Sequence, residues 1–159
     1  MLFNNSIVET TSERDRQMLM SVTKLLLDFT TESVNIPDDK LPSFNCHSIC
    51  RVIVAYIKDL VVIDGNFLGL RRLDGCQPRF DVVITRHSWL KTQDESIIDP
   101  YPVGCMTEGP LLIPGCGKYT PFGSELYMPN PNILKEISME VVTEEVRLVC
   151  EIVRNTHRW

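Results

Sequence analysis

Between Leu60 and Tyr101 the chain runs through apolar and β-branched segments, LVVID, FLGLRR, FDVVITRHSWLKT and SIIDPY, whereas the segments on either side of this block repeat at helical spacing. Strands that alternate between two faces need at least one face covered, and amphipathic helices need a surface on which to bury their stripe. A strand block bracketed by such helices therefore predicts an α+β domain with helices packed on an antiparallel sheet. Within the block, Asp64-Gly65-Asn66 carries a hairpin-type turn signal, which predicts a break between the first two strands.

Residues 12 to 30 read as a helix. Ser12 can cap it, Glu13 and Asp15 suit its positive end, and Met18, Val22, Leu25, Leu26 and Phe29 form one stripe. A second helix begins within SFNCHSICRVIVAYIKDL, capped by Ser43 or Asn45, with Ile49, Val52, Ile53, Tyr56 and Ile57 at helical spacing. Cys46 falls in its first turn. His47, one residue on, should point about 100° away around the helix, and Cys50, one turn on, belongs to the core. Near the C-terminus ISMEVV reads as a short strand, followed by a helix from about Thr143 with Val146, Val149, Cys150 and Val153 on its stripe. From Pro100 to Pro131, seven of the ten prolines and five of the eight glycines are concentrated, which predicts an irregular functional loop.

At 159 residues, with 43% hydrophobic and 23% charged residues, the chain suits a single domain spanning 1-159. The net charge of -5 and the lack of a Lys/Arg cluster argue against nucleic acid as the main partner. The first residues, MLFNNSIVETTSERDR, have neither a basic region nor an apolar run, and no later stretch is long and apolar enough for a membrane span. A cytoplasmic protein with no membrane partner is the expectation. Its six cysteines, Cys46, Cys50, Cys76, Cys105, Cys116 and Cys150, are then reduced thiols, and none of their spacings is C-x-x-C. No metal and no cofactor are expected.

If residues 85 to 99 form a hairpin around Gln93, His87 faces Asp99 and Trp89 faces Ile97, with Ser88, Leu90 and Ile98 on the other face. An aspartate accepting the Nδ1–H of the imidazole would fix its tautomer and leave Nε2 as a base. Cys46 meets the requirements for the matching nucleophile, because a helix N-terminus and a neighbouring imidazolium both favour the thiolate. The N–H groups of that turn could hold an oxyanion. Each piece alone has a structural explanation: a cysteine on a helix flank is ordinarily a small buried hydrophobe, and a strand histidine is ordinarily a satisfied core residue.

In combination, a helix-opening Cys46, then His87-Ser88-Trp89 on a strand, then Asp99-Pro100-Tyr101 resemble the papain-like cysteine enzymes in their transglutaminase-like arrangement. The resemblance covers about Ser43 to Val103. It implies a papain-like/transglutaminase-like core in which the catalytic-cysteine helix packs on an antiparallel sheet (core about 43-103), with additional terminal helices and the Pro/Gly-rich loop 100-131 beside it. It also implies cysteine-dependent acyl transfer on an amide of a peptide or protein through a thioester, as in a peptidase, amidase, deamidase or transglutaminase. Cys46 would be the nucleophile, His87 the general base and acid, and Asp99 the orienting residue. Asn45 is the one obvious side-chain candidate for the oxyanion, and Trp89, Tyr101, Tyr119 and Phe122 are candidate walls of the substrate site. Two other readings remain open: a non-catalytic binding domain with a buried structural Cys and His, and a metal site built from Cys46, His87, Asp99 and another cysteine.

Overall fold

Ser12 starts the first helix, α1 (Glu13–Ser33), by accepting the Asp15 N–H on its hydroxyl at 3.1 Å. The computed structural model describes residues 12–33, 45–73, 79–101, 110–113, 115 and 126–156. The second helix, α2 (Cys46–Tyr56), is capped by Asn45, whose extended backbone places Oδ1 2.9 Å from the Ser48 N–H. Ile49, Cys50, Val52 and Ile53 form its buried side. At the C-terminal end α3 (Met139–Thr156) begins earlier than the sequence suggests, and no strand forms over ISMEVV. Val142, Glu145, Val149 and Val153 are buried one helical turn or two apart, so the 3.6-residue period outweighs the β-branched Val141-Val142 pair.

Among the described residues the sheet is five-stranded and antiparallel, in the order β4-β3-β2-β1-β5. Its centre is the long pair β1 (Val61–Leu73) and β2 (Arg79–Lys91), with the short strands β3 (Ile97–Asp99), β4 (Leu111–Ile113) and β5 (Tyr127–Pro129) around it. The turn expected at Asp64-Gly65-Asn66 is absent, because β1 runs straight through it. Gly65 is there for proximity instead. A Cβ on it would lie 2.2 Å from the Met128 carbonyl oxygen in β5 and 2.7 Å from the Trp89 ring.

The Pro100–Pro131 stretch is less irregular than its composition suggests, since β4 and β5 lie within it and a 3-10 helix, Pro131–Lys135, starts at its end. Residues 102–109, 114 and 116–125, including Tyr119 and Phe122, lie outside the described residues.

Among the described residues, three apolar clusters hold the layers together. Val22, Ile49, Cys50, Ile53, Leu60, Leu90 and Ile98 join α1 and α2 to one sheet face. Phe29, Val52, Val149 and Val153 join α1, α2 and α3. Phe67, Trp89, Ile97, Ile113 and Tyr127 line the opposite face. Leu90 and Ile98 thus face the helices while Trp89 and Ile97 face away, as strand alternation predicts. Among the described residues, no helix is long and apolar enough to cross a membrane.

Candidate active site

Two neighbouring residues of β2 point to opposite faces, and each organises one half of the site. His87 belongs to the Trp89 face, where its ring lies 5.8 Å from Phe67, 6.2 Å from Trp89 and 6.3 Å from Tyr127, centroid to centroid. Ser88 belongs to the face that α2 covers.

The expected direct pairing of His87 with Asp99 does not occur. β3 pairs Leu90 with Ile98 and Lys91 with Ile97, because the turn spans Thr92 to Ser96 and is centred on Asp94 rather than Gln93. Glu95 takes the left-handed conformation that this turn needs, at φ 63°. The odd loop length keeps Asp99 on the face of His87, one pleat further along, and the aspartate reaches the ring diagonally. His87 Nε2 and Asp99 Oδ2 are 2.7 Å apart, both side chains being fully buried.

The nitrogens are used in the reverse of the expected order. Asp99 holds Nε2, and Nδ1 is buried with no partner in hydrogen-bonding alignment. Nδ1 is therefore the nitrogen left for Cys46, the group that with Asp99 raises the imidazole. Asp99 is further fixed by two donors, one local and one that gives no signal near it in the sequence. Tyr127 Oη donates to Oδ2 at 2.8 Å, and the Tyr101 N–H donates to Oδ1 at 3.1 Å.

Cys46 reaches this ring because β3 leaves the flank of β2 open at Ser88. Continued by two residues, the register would place Pro100 opposite Ser88, and proline has no N–H to extend a ladder. The Ser88 backbone serves α2 instead: its N–H donates toward the Cys46 sulfur, and its carbonyl accepts from Cys50 Sγ at 3.4 Å.

Burial pushes the Cys46 thiol up, but the neighbouring imidazoles of His47 and His87, the charge of His87 and the Ser88 N–H outweigh it, and the thiol falls from 9.0 to about 6. Burial likewise opposes charge on His87, and Asp99 and Cys46 outweigh it, raising the imidazole from 6.5 to about 9. Between these values the stable form is a thiolate–imidazolium pair. At neutral pH the thiolate then exceeds the thiol by roughly ten to one, where an ordinary thiol is about one part in a hundred ionised. The other two described cysteines go the opposite way, since burial raises both Cys50 and Cys150.

His47 does not point away from the site. Its Nδ1 lies 2.6 Å from Ser88 Oγ, Ser88 Oγ donates to Asp64 Oδ1 at 2.5 Å, and Asp64 Oδ2 is paired with Arg51 Nη2 at 2.9 Å. Ser88 and Asp64 face each other across β1 and β2, so they anchor an imidazole one turn above Arg51 on α2. This pull toward the sheet overrides the angle expected from helix geometry alone. Sequence reasoning missed His47 as a partner of the thiol, and only the serine inside His87-Ser88-Trp89 pointed toward it.

The proposed side-chain oxyanion donor, Asn45, is committed elsewhere. Its Oδ1 caps Ser48 and its Nδ2 donates to Glu145 Oε2 at 2.9 Å, while Ser48 Oγ also donates to that carboxylate. Glu145, brought in by α3 from about a hundred residues away, thereby locks the start of α2. The cap uses the Ser48 and Ile49 N–H groups and leaves those of Cys46 and His47 without a helical acceptor.

Trp89 is 2% exposed and packs against the imidazole, which removes it as a substrate surface; Tyr101 is 49% exposed. An open cleft of about 580 Å³ begins at this end of α2, lined by His47, Asn66, Ile84, Thr85, Arg86, Glu136 and Ile137. Asn66, Ile84 and Arg86 are on the Ser88 face of the sheet, so the cleft continues past the point where α2 stops. Among the described residues, no group of three or more His, Cys, Asp or Glu side chains is placed to hold a metal. Comparisons with protein-family models, with curated proteins and with solved structures returned no match.

Proposed function

We propose that this protein is a cysteine-dependent acyl-transfer enzyme acting on amides, with a transglutaminase-like Cys46–His87–Asp99 triad on a papain-like core. The observation that carries the proposal is the fully buried His87–Asp99 pair, 2.7 Å apart, together with a Cys46 that opens a helix; the thiol lowered to about 6 and the imidazole raised to about 9 support it. Structural cysteines are raised by burial, as Cys50 and Cys150 are, whereas a matched nucleophile and acid need the opposite shifts that Cys46 and His87 have.

In the proposed reaction the Cys46 thiolate adds to the carbonyl carbon. The oxyanion forms at the start of α2, against the N–H groups of Cys46 and His47, so backbone takes the role first considered for Asn45. His87 Nδ1–H then protonates the leaving nitrogen as the C–N bond breaks, which leaves a thioester on Cys46 and a neutral imidazole. Water or an amine resolves the thioester and returns the thiolate. Asp99, held by Tyr127 and Tyr101, keeps the ring oriented throughout. The substrate is a peptide or protein amide entering along the cleft, and the work requires no cofactor. The cytoplasm, where thiols stay reduced, suits this chemistry.

The test is the pH dependence of kcat/KM on an amide substrate found by screening. Below about 6 the sulfur is protonated and does not attack; above about 9 His87 has lost the proton that the leaving amine needs. The expected profile is a bell with limbs near these two values, each belonging to the coupled pair rather than to one residue. A rate that keeps climbing through pH 9, as for a free thiol, would contradict the assignment, and total inactivity with an unreactive Cys46 would leave the binding-domain reading.

A further inference from the structure

Resting on that reading, we propose that the active site contains a second working imidazole: His47 takes the proton from the water or amine that resolves the acyl-enzyme, while His87 is kept for holding and recharging the thiolate. The division follows from access. His87 is fully buried among Phe67, Trp89 and Tyr127, with Nε2 taken by Asp99 and Nδ1 buried. His47 is half-buried, follows Cys46 in the first turn of α2, is held by Ser88 Oγ and lines the open cleft. An acyl acceptor arriving along the cleft meets His47 first.

The hydrogen-bond chain behind His47 also fixes which nitrogen does the work. The Ser88 hydroxyl has one proton, and Asp64 accepts it. The hydroxyl must therefore accept from His47, so Nδ1 carries the hydrogen of the neutral ring and Nε2 is the unprotonated base. Asp64 is tied to Arg51, whose Nη1 also donates to the His47 carbonyl at 3.1 Å, so the whole chain is anchored among α2, β1 and β2. Aspartate thus orients both imidazoles, Asp99 directly and Asp64 through a serine.

The proton balance closes. His47 Nε2 accepts a proton from the acceptor as its oxygen or nitrogen bonds to the thioester carbon. The tetrahedral intermediate collapses with cleavage of the C–S bond, and the electron pair returns to sulfur. His47 now carries the proton that His87 lost during acylation. Both imidazoles act on the sulfur, so the proton can cross it as a transient thiol and restore the thiolate–imidazolium pair.

The experiment uses p-nitrophenyl acetate, whose leaving group needs no proton, at a pH high enough to ionise Cys46 in every variant. Acetylation of Cys46 and its subsequent decay are followed separately by mass. Whatever its acetylation rate, His47→Ala is expected, once acetylated, to lose the acetyl group roughly 10- to 100-fold more slowly, with free imidazole restoring part of the decay. Ser88→Ala, which keeps the ring but frees its tautomer, is expected to slow the decay several-fold. Wild-type decay in His47→Ala would overturn the inference, as would slow decay that imidazole does not rescue in a protein of lowered melting temperature. If wild-type protein gains no acetyl group on Cys46, the acyl-transfer reading fails first and the inference falls with it.

Discussion

Cys46→Ser is expected to remove acyl-transfer activity by about 10³-fold or more while the protein melts within a few degrees of wild type. The exchange alters one atom on a side chain that is 7% exposed and leaves the His87–Asp99 pair and the Asn45 cap untouched. A serine hydroxyl at this position does not ionise as the thiol does, so an attack that relies on a preformed thiolate stops. Turnover and thermal melts on the same preparation check both halves. Retained turnover in a folded Cys46→Ser protein would require another nucleophile, and Cys116, in the Pro/Gly-rich stretch, is the next to replace.

Asp99→Asn is expected to act on chemistry and stability together. The carboxylate accepts from His87 Nε2, Tyr127 Oη and the Tyr101 N–H, all at a fully buried position. An amide in its place sets a donor against one of these donors and removes the charge that holds His87 protonated. By analogy with other triads, turnover should fall by about 10³- to 10⁴-fold. The unsatisfied buried donor should lower stability by about 1–3 kcal/mol. Denaturant unfolding and steady-state kinetics separate the two. A full-activity Asp99→Asn protein would show that Asp99 is structural only.

What could be read from the chain alone was what depends on near neighbours. Asn45 caps the helix that Cys46 opens, and His87 and Asp99 share a face because an odd turn length preserves parity. The exact partner was not readable, since moving the turn centre from Gln93 to Asp94 shifts every pair without changing a single hydrophobic position. Gly65 gives the same local signal whether a chain turns or a tryptophan from the next strand lies over it. Tyr127 and Glu145 have no periodic relation to the residues they support, and their roles exist only once β5 and α3 have packed. His47 was misplaced because helix geometry fixes where a side chain starts, while Ser88 and Asp64 fix where its ring ends.

The most direct test of the central claim is the rate at which iodoacetamide labels Cys46, followed by peptide mass as a function of pH in wild type and in His87→Ala. The wild-type thiol is expected to react with a midpoint near 6, well ahead of Cys50 and Cys150, and the midpoint should move toward that of a free thiol when His87 is removed. A Cys46 midpoint at or above 9, unchanged in His87→Ala, would contradict the account.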